Sequence, residues 1–135
     1  MKRFVAQLLA APTLAAMTLV LPTTGAATAS GDWGRATAKN QTLQQGCHGY
    51  AFSYRVETPG DAWMAEITLV NPNGRKIATH TYDSGADART GVRSFRFCSP
   101  TTRPGVHTIR LKVTSYEDRD VSARTEPATT FILTR

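Results

Sequence analysis

His48, His80 and His107 are the groups best suited to proton transfer in this chain, and Cys47 and Cys98 are its only thiols. A general base needs a nucleophile within hydrogen-bond reach, and the familiar hydrolase motifs secure that geometry through fixed spacings. The sequence has no G-x-S-x-G elbow, no H-E-x-x-H pair and no phosphate-binding P-loop. His107 falls in phase with Ile109 and Leu111, which assigns it a semi-buried, hydrogen-bonded place. His48, beside Cys47, and His80, on a polar stretch, read as surface residues. No catalytic residue is assigned, no cofactor is implied, and the chain reads as a non-enzyme.

The two cysteines lack a C-x-x-C spacing or a nearby histidine pair, so they do not make a metal site. An even count in an exported chain predicts a Cys47–Cys98 disulfide, and closing a loop of ~50 residues would contribute ~4 kcal/mol in the loop-entropy model. Carboxylates cluster at Asp83 and Asp87 and again at Glu117, Asp118 and Asp120, in segments where a hard cation could sit. The first segment lacks the ligand density of an EF-hand loop and the second has Arg119 in its midst, so both read as solvated loops and no metal is expected. Tyr50, Phe52, Tyr54, Trp63, Phe95, Phe97 and Phe131 fall on inward faces. Trp33, Tyr82 and Tyr116 remain as the aromatic candidates for a binding surface, with Glu66, Arg110 and Lys112 as its charged members.

These groups are positioned by strands. Residues 92–98 alternate into Cys98, and the stretch that follows contains Pro100, Pro104 and Gly105. Proline removes ladder donors, so this connection cannot continue either strand and is expected to cross from one sheet to another. His107, Ile109, Leu111 and Val113 then share one face of the next strand, with period-2 alternation. The same pattern predicts strands from Cys47 to about residue 57, from Trp63 to Val70, over residues 75–82 and over 129–134. A weaker first strand is expected over residues 35–43. Asn73-Gly74 predicts a tight turn, because both residues tolerate positive φ. Residues 83–91 and 116–126 read as loops. Seven short strands of this kind predict an all-β, antiparallel β-sandwich.

The start of the chain is read differently. Lys2 and Arg3 precede an apolar run over residues 4–21, and Ala27-Thr28-Ala29 supplies a small-residue cleavage pattern. Residues 1–29 are therefore expected to be a signal peptide, residues 30–46 a polar segment with a possible first strand, and residues 47–135 the folded domain. Export would leave the mature protein secreted, without a membrane anchor. Cleavage removes Lys2 and Arg3 from the 16 basic residues and leaves 14 against 10 acidic ones, a net charge of +4. The signs are interleaved, and no basic run with aromatic partners suggests nucleic acid.

Pro104-Gly105-Val106-His107-Thr108-Ile109 resembles the P-G-x-Y-T entry to a late strand in bacterial secreted immunoglobulin-like domains, and Trp63 resembles their core tryptophan. The resemblance implies a seven-stranded immunoglobulin-like sandwich. In that topology the strands bearing Cys47 and Cys98 are antiparallel neighbours, and the strand of Glu66 lies beside that of Arg110 and Lys112. It departs from the family where His107 stands in the place of the corner tyrosine and in the position of the cysteines. Because sandwiches host many functions, the expected role stays broad. It is a secreted monomeric module that binds an extracellular protein or polysaccharide, or alternatively an inhibitor that presents residues 83–91 or 99–105 to an extracellular hydrolase.

Overall fold

The computed structural model describes residues 32–135, so the expected signal peptide lies outside the described residues. The described chain is all-β. Its strands are β1 (Gly34–Thr37), β2 (Gln41–Thr42), β3 (Cys47–Val56), β4 (Ala62–Val70), β5 (Lys76–Asp83), β6 (Thr90–Cys98), β7 (Gly105–Glu117), β8 (Asp120–Thr125) and β9 (Thr129–Thr134). One sheet has the order β1-β3-β6. The other runs β2-β9-β7-β4-β5, with β8 also on β7. Among the described residues no helix is long and apolar enough to cross a membrane.

Alternation decides which side chains the two sheets turn toward each other. Tyr50, Phe52, Tyr54 and Val56 face inward from β3, and Phe95 and Phe97 from β6. Trp63, Ala65, Ile67 and Leu69 meet them from β4, with Ile109, Leu111 and Val113 from β7. Rings stack through this core. Tyr54 lies 4.8 Å from Tyr82, Phe52 4.3 Å from Phe95 and Tyr50 5.1 Å from Phe97. Burying an aromatic set of this size supplies most of the driving force, and offset stacking adds a smaller specific term.

The register places Cys47 directly opposite Cys98, their Cα atoms 3.9 Å apart and their sulfurs bonded. The Ser99 N–H donates to Gly46 O at 2.9 Å just outside the bridge. That bond marks the cysteines as a non-hydrogen-bonded pair, the position where facing side chains come closest. The 99–104 connection then crosses between the sheets as the two prolines predict. At the β4–β5 turn, Asn71 Oδ1 accepts the N–H groups of Asn73 and Arg75, and Gly74 takes φ +79°. Glycine at that left-handed position carries no Cβ penalty.

Several sequence expectations are corrected. The single first strand over 35–43 is two, β1 on β3 and β2 parallel to β9. The chain changes sheets at residues 38–40, where Asn40 Oδ1 accepts Ile132 N–H, and Gln41 reaches back to bond both N–H and O of Ala51. Trp33 and Ala36 belong to the common core, so the packed unit begins before the expected boundary at residue 47. Residues 116–126 are not a loop: β7 continues to Glu117 and turns back as β8, with Asp118 at φ 45°. No residue of β8 is fully buried, so the strand has no inward face to create a hydrophobic period and is held through its backbone ladder. Nine strand segments replace seven.

Candidate functional site

Four chain segments meet at the disulfide end of the molecule. They are the approach to β3, the β4–β5 turn, the β6–β7 connection and the end of β9. Leu43 N–H donates to Thr134 O at 2.8 Å, which ties the first to the last. A Cβ on Gly105 would come 3.1 Å from Pro72 Cγ, so the β4–β5 turn lies hard against the start of β7. Gly105 has φ +127°, and the close approach leaves no room for a side chain.

The segments 38–50, 71–78, 94–110 and 131–135 contain no aspartate or glutamate. They supply Arg75, Lys76, Arg96, Arg103 and Arg135 to this end, and none of these has an ion-pair partner among the described residues. The ion pairs of the described residues lie at the opposite end: Arg55 with Glu57, Arg89 with Asp61 at 3.8 Å and Arg93 with Asp87 at 3.3 Å. Like charges gathered at one end of the molecule raise the local potential, which draws anions from solution.

Two of these cations, Arg96 and Arg103, line a cavity of about 290 Å³ together with Asn71, Thr102, Phe97 and His107, among others. His107 forms part of its wall and is itself 0% exposed. Its Nδ1 lies 3.1 Å from Gly105 O. A carbonyl only accepts, so Nδ1 carries the proton and Nε2 is left as an acceptor. That Nε2 is buried and has no partner among the described residues. Burial pushes the imidazole below its ordinary pKa, against a smaller opposing effect of the Gly105 bond. Rings of Phe97 and Phe131 stack against it at 6.3 and 5.5 Å. The arrangement can hold an anion and accept one hydrogen bond, but it brings no nucleophile to a base.

A second concavity of about 460 Å³ runs beside the β1–β2 crossing, past Ala38, Gln41, Ala51 and Val92. It is the more apolar of the two, and the Gln41 amide there is already engaged by Ala51. Its lining includes one cation, Lys39, against the two guanidinium groups of the first, and none of the three has an ion-pair partner among the described residues.

The residues singled out from the sequence do not assemble into one site. Trp33 is 9% exposed; its ring lies 4.4 Å from the Arg124 guanidinium and its backbone N–H donates to the buried Glu126 carboxylate at 3.1 Å. Tyr82 is 7% exposed and stacked on Tyr54, with Arg93 over both rings. Both were expected at the surface and both are core, Trp33 with Arg124 over its ring and Tyr82 with Tyr54 and Arg93 against its ring. Tyr116 is exposed, but near the β7–β8 turn. Glu66 stands directly opposite Lys112 across β4 and β7, with Arg110 opposite the neighbouring Thr68, so the expected register holds. No ion pair within 4.0 Å joins Glu66 to either base among the described residues. His80, expected at the surface, is half-buried with its ring 5.1 Å from that of Phe95. In the Asp83–Asp87 turn the oxygens are engaged: Asp83 Oδ1 by Gly85 N–H, Asp87 Oδ2 by Asp83 N–H and Asp87 Oδ1 by Arg93. Among the described residues no group of three His, Cys, Asp or Glu is placed to hold a metal ion.

Arg96 was not marked by sequence reasoning, and Arg103 entered only as part of the 99–105 loop of the inhibitor reading. The available signal was the absence of acids from every segment reaching the disulfide, which has meaning only once the strand ends are placed together. No family model, curated protein or solved structure matches this chain.

Proposed function

We propose that this chain is a small extracellular, non-enzymatic binding module that docks an anionic partner through its disulfide end. One observation carries the reading: among the described residues, five cationic side chains gather there with no acidic side chain and no ion pair. A solvated protein surface normally interleaves its signs, as the opposite end does. Export is supported by the Cys47–Cys98 bridge, since such bonds persist in oxidising compartments. An immunoglobulin-like assignment of the fold is supported by the antiparallel pairing of β3 with β6 and of β4 with β7, joined by a crossing between the sheets.

The test is binding of the intact mature protein to immobilised acidic and neutral polysaccharides at about 50 and 200 mM salt, where a contact through several cations weakens steeply. Retention on the acidic polymer that falls with salt is the expected result. Equal retention on neutral and acidic polymers, or none on either, removes the reading.

The inhibitor reading keeps one specific support. The β6–β7 connection is stiffened beside the bridge, with Thr101 and Thr102 N–H groups both donating to Cys98 O at 3.1 and 3.0 Å. A rigid exposed loop loses little entropy when it enters a cleft. Assay of the protein against a panel of secreted hydrolases separates the two readings, since an inhibitor slows turnover at stoichiometric concentration.

A further inference from the structure

The cavity at the disulfide end has a composition that narrows the class of anion. Two guanidinium groups, Arg96 and Arg103, line it and lack ion-pair partners. Guanidinium groups match a carboxylate through paired N–H donors. Beside them are the neutral polar side chains of Asn71 and Thr102, which suit hydroxyl groups, and the apolar walls of Phe97 and Ile77, which suit the C–H face of a ring. His107 belongs to the lining, and among the described residues its Nε2 is buried without a partner and is an acceptor by its tautomer. An unmet buried acceptor is costly, and a donor that reaches it directly or through one water removes that cost. Sulfate offers no such donor and hydrogen phosphate only its P–OH, whereas a sugar ring offers several hydroxyls at fixed spacing. About 290 Å³ is room for one ring rather than an extended chain.

We propose that this cavity takes a single carboxylate-bearing sugar ring, a uronic acid residue of an acidic polysaccharide. Arg96 and Arg103 hold the carboxylate, Asn71 and Thr102 meet ring hydroxyls, and His107 Nε2 receives a hydroxyl hydrogen directly or through water. This rests on the anionic-partner reading above and adds the ligand's identity and seat. The surrounding cations Arg75, Lys76 and Arg135 would then steer the polymer without selecting it.

The experiment uses the mature protein with a short oligogalacturonate, its methyl ester, inorganic phosphate and a polyglutamate peptide of equal charge. Affinity is measured by calorimetry, and the His107 ring resonances are followed by NMR. The expected result is binding of the oligogalacturonate with a shift of the His107 signals, and at least about tenfold weaker binding of the ester and of polyglutamate. Arg96→Gln with Arg103→Gln should weaken the acid sugar by at least about tenfold, and Arg75→Gln with Lys76→Gln by a smaller factor that vanishes at high salt. A thermal melt checks that each variant is folded, and the acid-against-ester comparison needs no variant at all. If phosphate or polyglutamate binds as well as the sugar, and the Arg96/Arg103 pair is no more sensitive than the outer pair, the sugar seat is overturned while the anionic docking surface stands. If none of the anions binds, the docking surface falls as well.

Discussion

His107 is the residue whose setting has the sharpest consequence. It is fully buried, donates through Nδ1 to Gly105 and is held neutral by burial, which puts its folded pKa below its ordinary value. In the unfolded chain the ring takes up a proton near its usual pKa of about 6.5, while the folded ring resists it. Between those two values the unfolded state binds more protons, so stability rises with pH through that window and is lost as pH falls through it. Denaturant midpoints measured from about pH 7 down to pH 5 should therefore decline, and His107→Phe should flatten the decline. An unchanged slope in His107→Phe would assign the acid sensitivity elsewhere. Glu126 presents a different case. Its carboxylate accepts the Trp33 backbone N–H while Arg124 covers the indole. Glu126→Ala leaves that N–H buried without an acceptor, a loss of about 1–3 kcal/mol. The measurement is a denaturation curve read by tryptophan emission, with a red shift in the native state if Trp33 becomes wetted.

Between elements, the bridge and the β6–β7 crossing act together. The disulfide joins two adjacent strands of one sheet, and the connection leaving Cys98 reaches the other sheet within a few residues. Replacing both cysteines by alanine should lower stability by about 2–4 kcal/mol, measured by urea unfolding. It should also loosen the loop that carries Arg103, so affinity for an acidic polymer should fall even where the variant is folded. The strands bearing these features were legible in the sequence because each has an inward face: Tyr50 to Val56, Trp63 to Leu69 and His107 to Val113 alternate cleanly. The pairing of the cysteine strands followed from the resemblance, and the register of Glu66 with Lys112 from the same topology. β8 was not legible, because a strand exposed on both faces leaves no periodic trace and its ladder to β7 is made by backbone alone. Trp33 and Tyr82 were misplaced for a related reason. A large ring in a polar context reads as exposed, and only tertiary packing shows that Arg124 and Arg93 cover them. The candidate site was the least legible part, since it is made of residues from distant segments with no spacing in common.

At the scale of the whole molecule, charge is divided along the strands. Glu66 sits mid-strand beside Lys112, and the other nine acidic residues lie away from the disulfide end, in company with Arg35, Arg55, Arg89, Arg93, Arg119 and Arg124. The net charge of the chain is modest, so composition alone gives no hint of a basic face. A field of this shape acts on approach as well as on contact, because a polyanion is turned toward the positive end before it touches. Position should therefore matter more than total charge. Arg75→Glu with Lys76→Glu and Arg35→Glu with Arg119→Glu change the net charge equally. The first pair should slow association with an acidic polysaccharide by about tenfold at low salt and flatten the dependence of affinity on salt. The second pair should leave both nearly unchanged. Stopped-flow or surface-resonance association rates, taken at several salt concentrations, measure the difference. Equal slowing by the two pairs would mean that the polymer responds to net charge alone, and the disulfide end would lose its claim to be the face that meets the ligand.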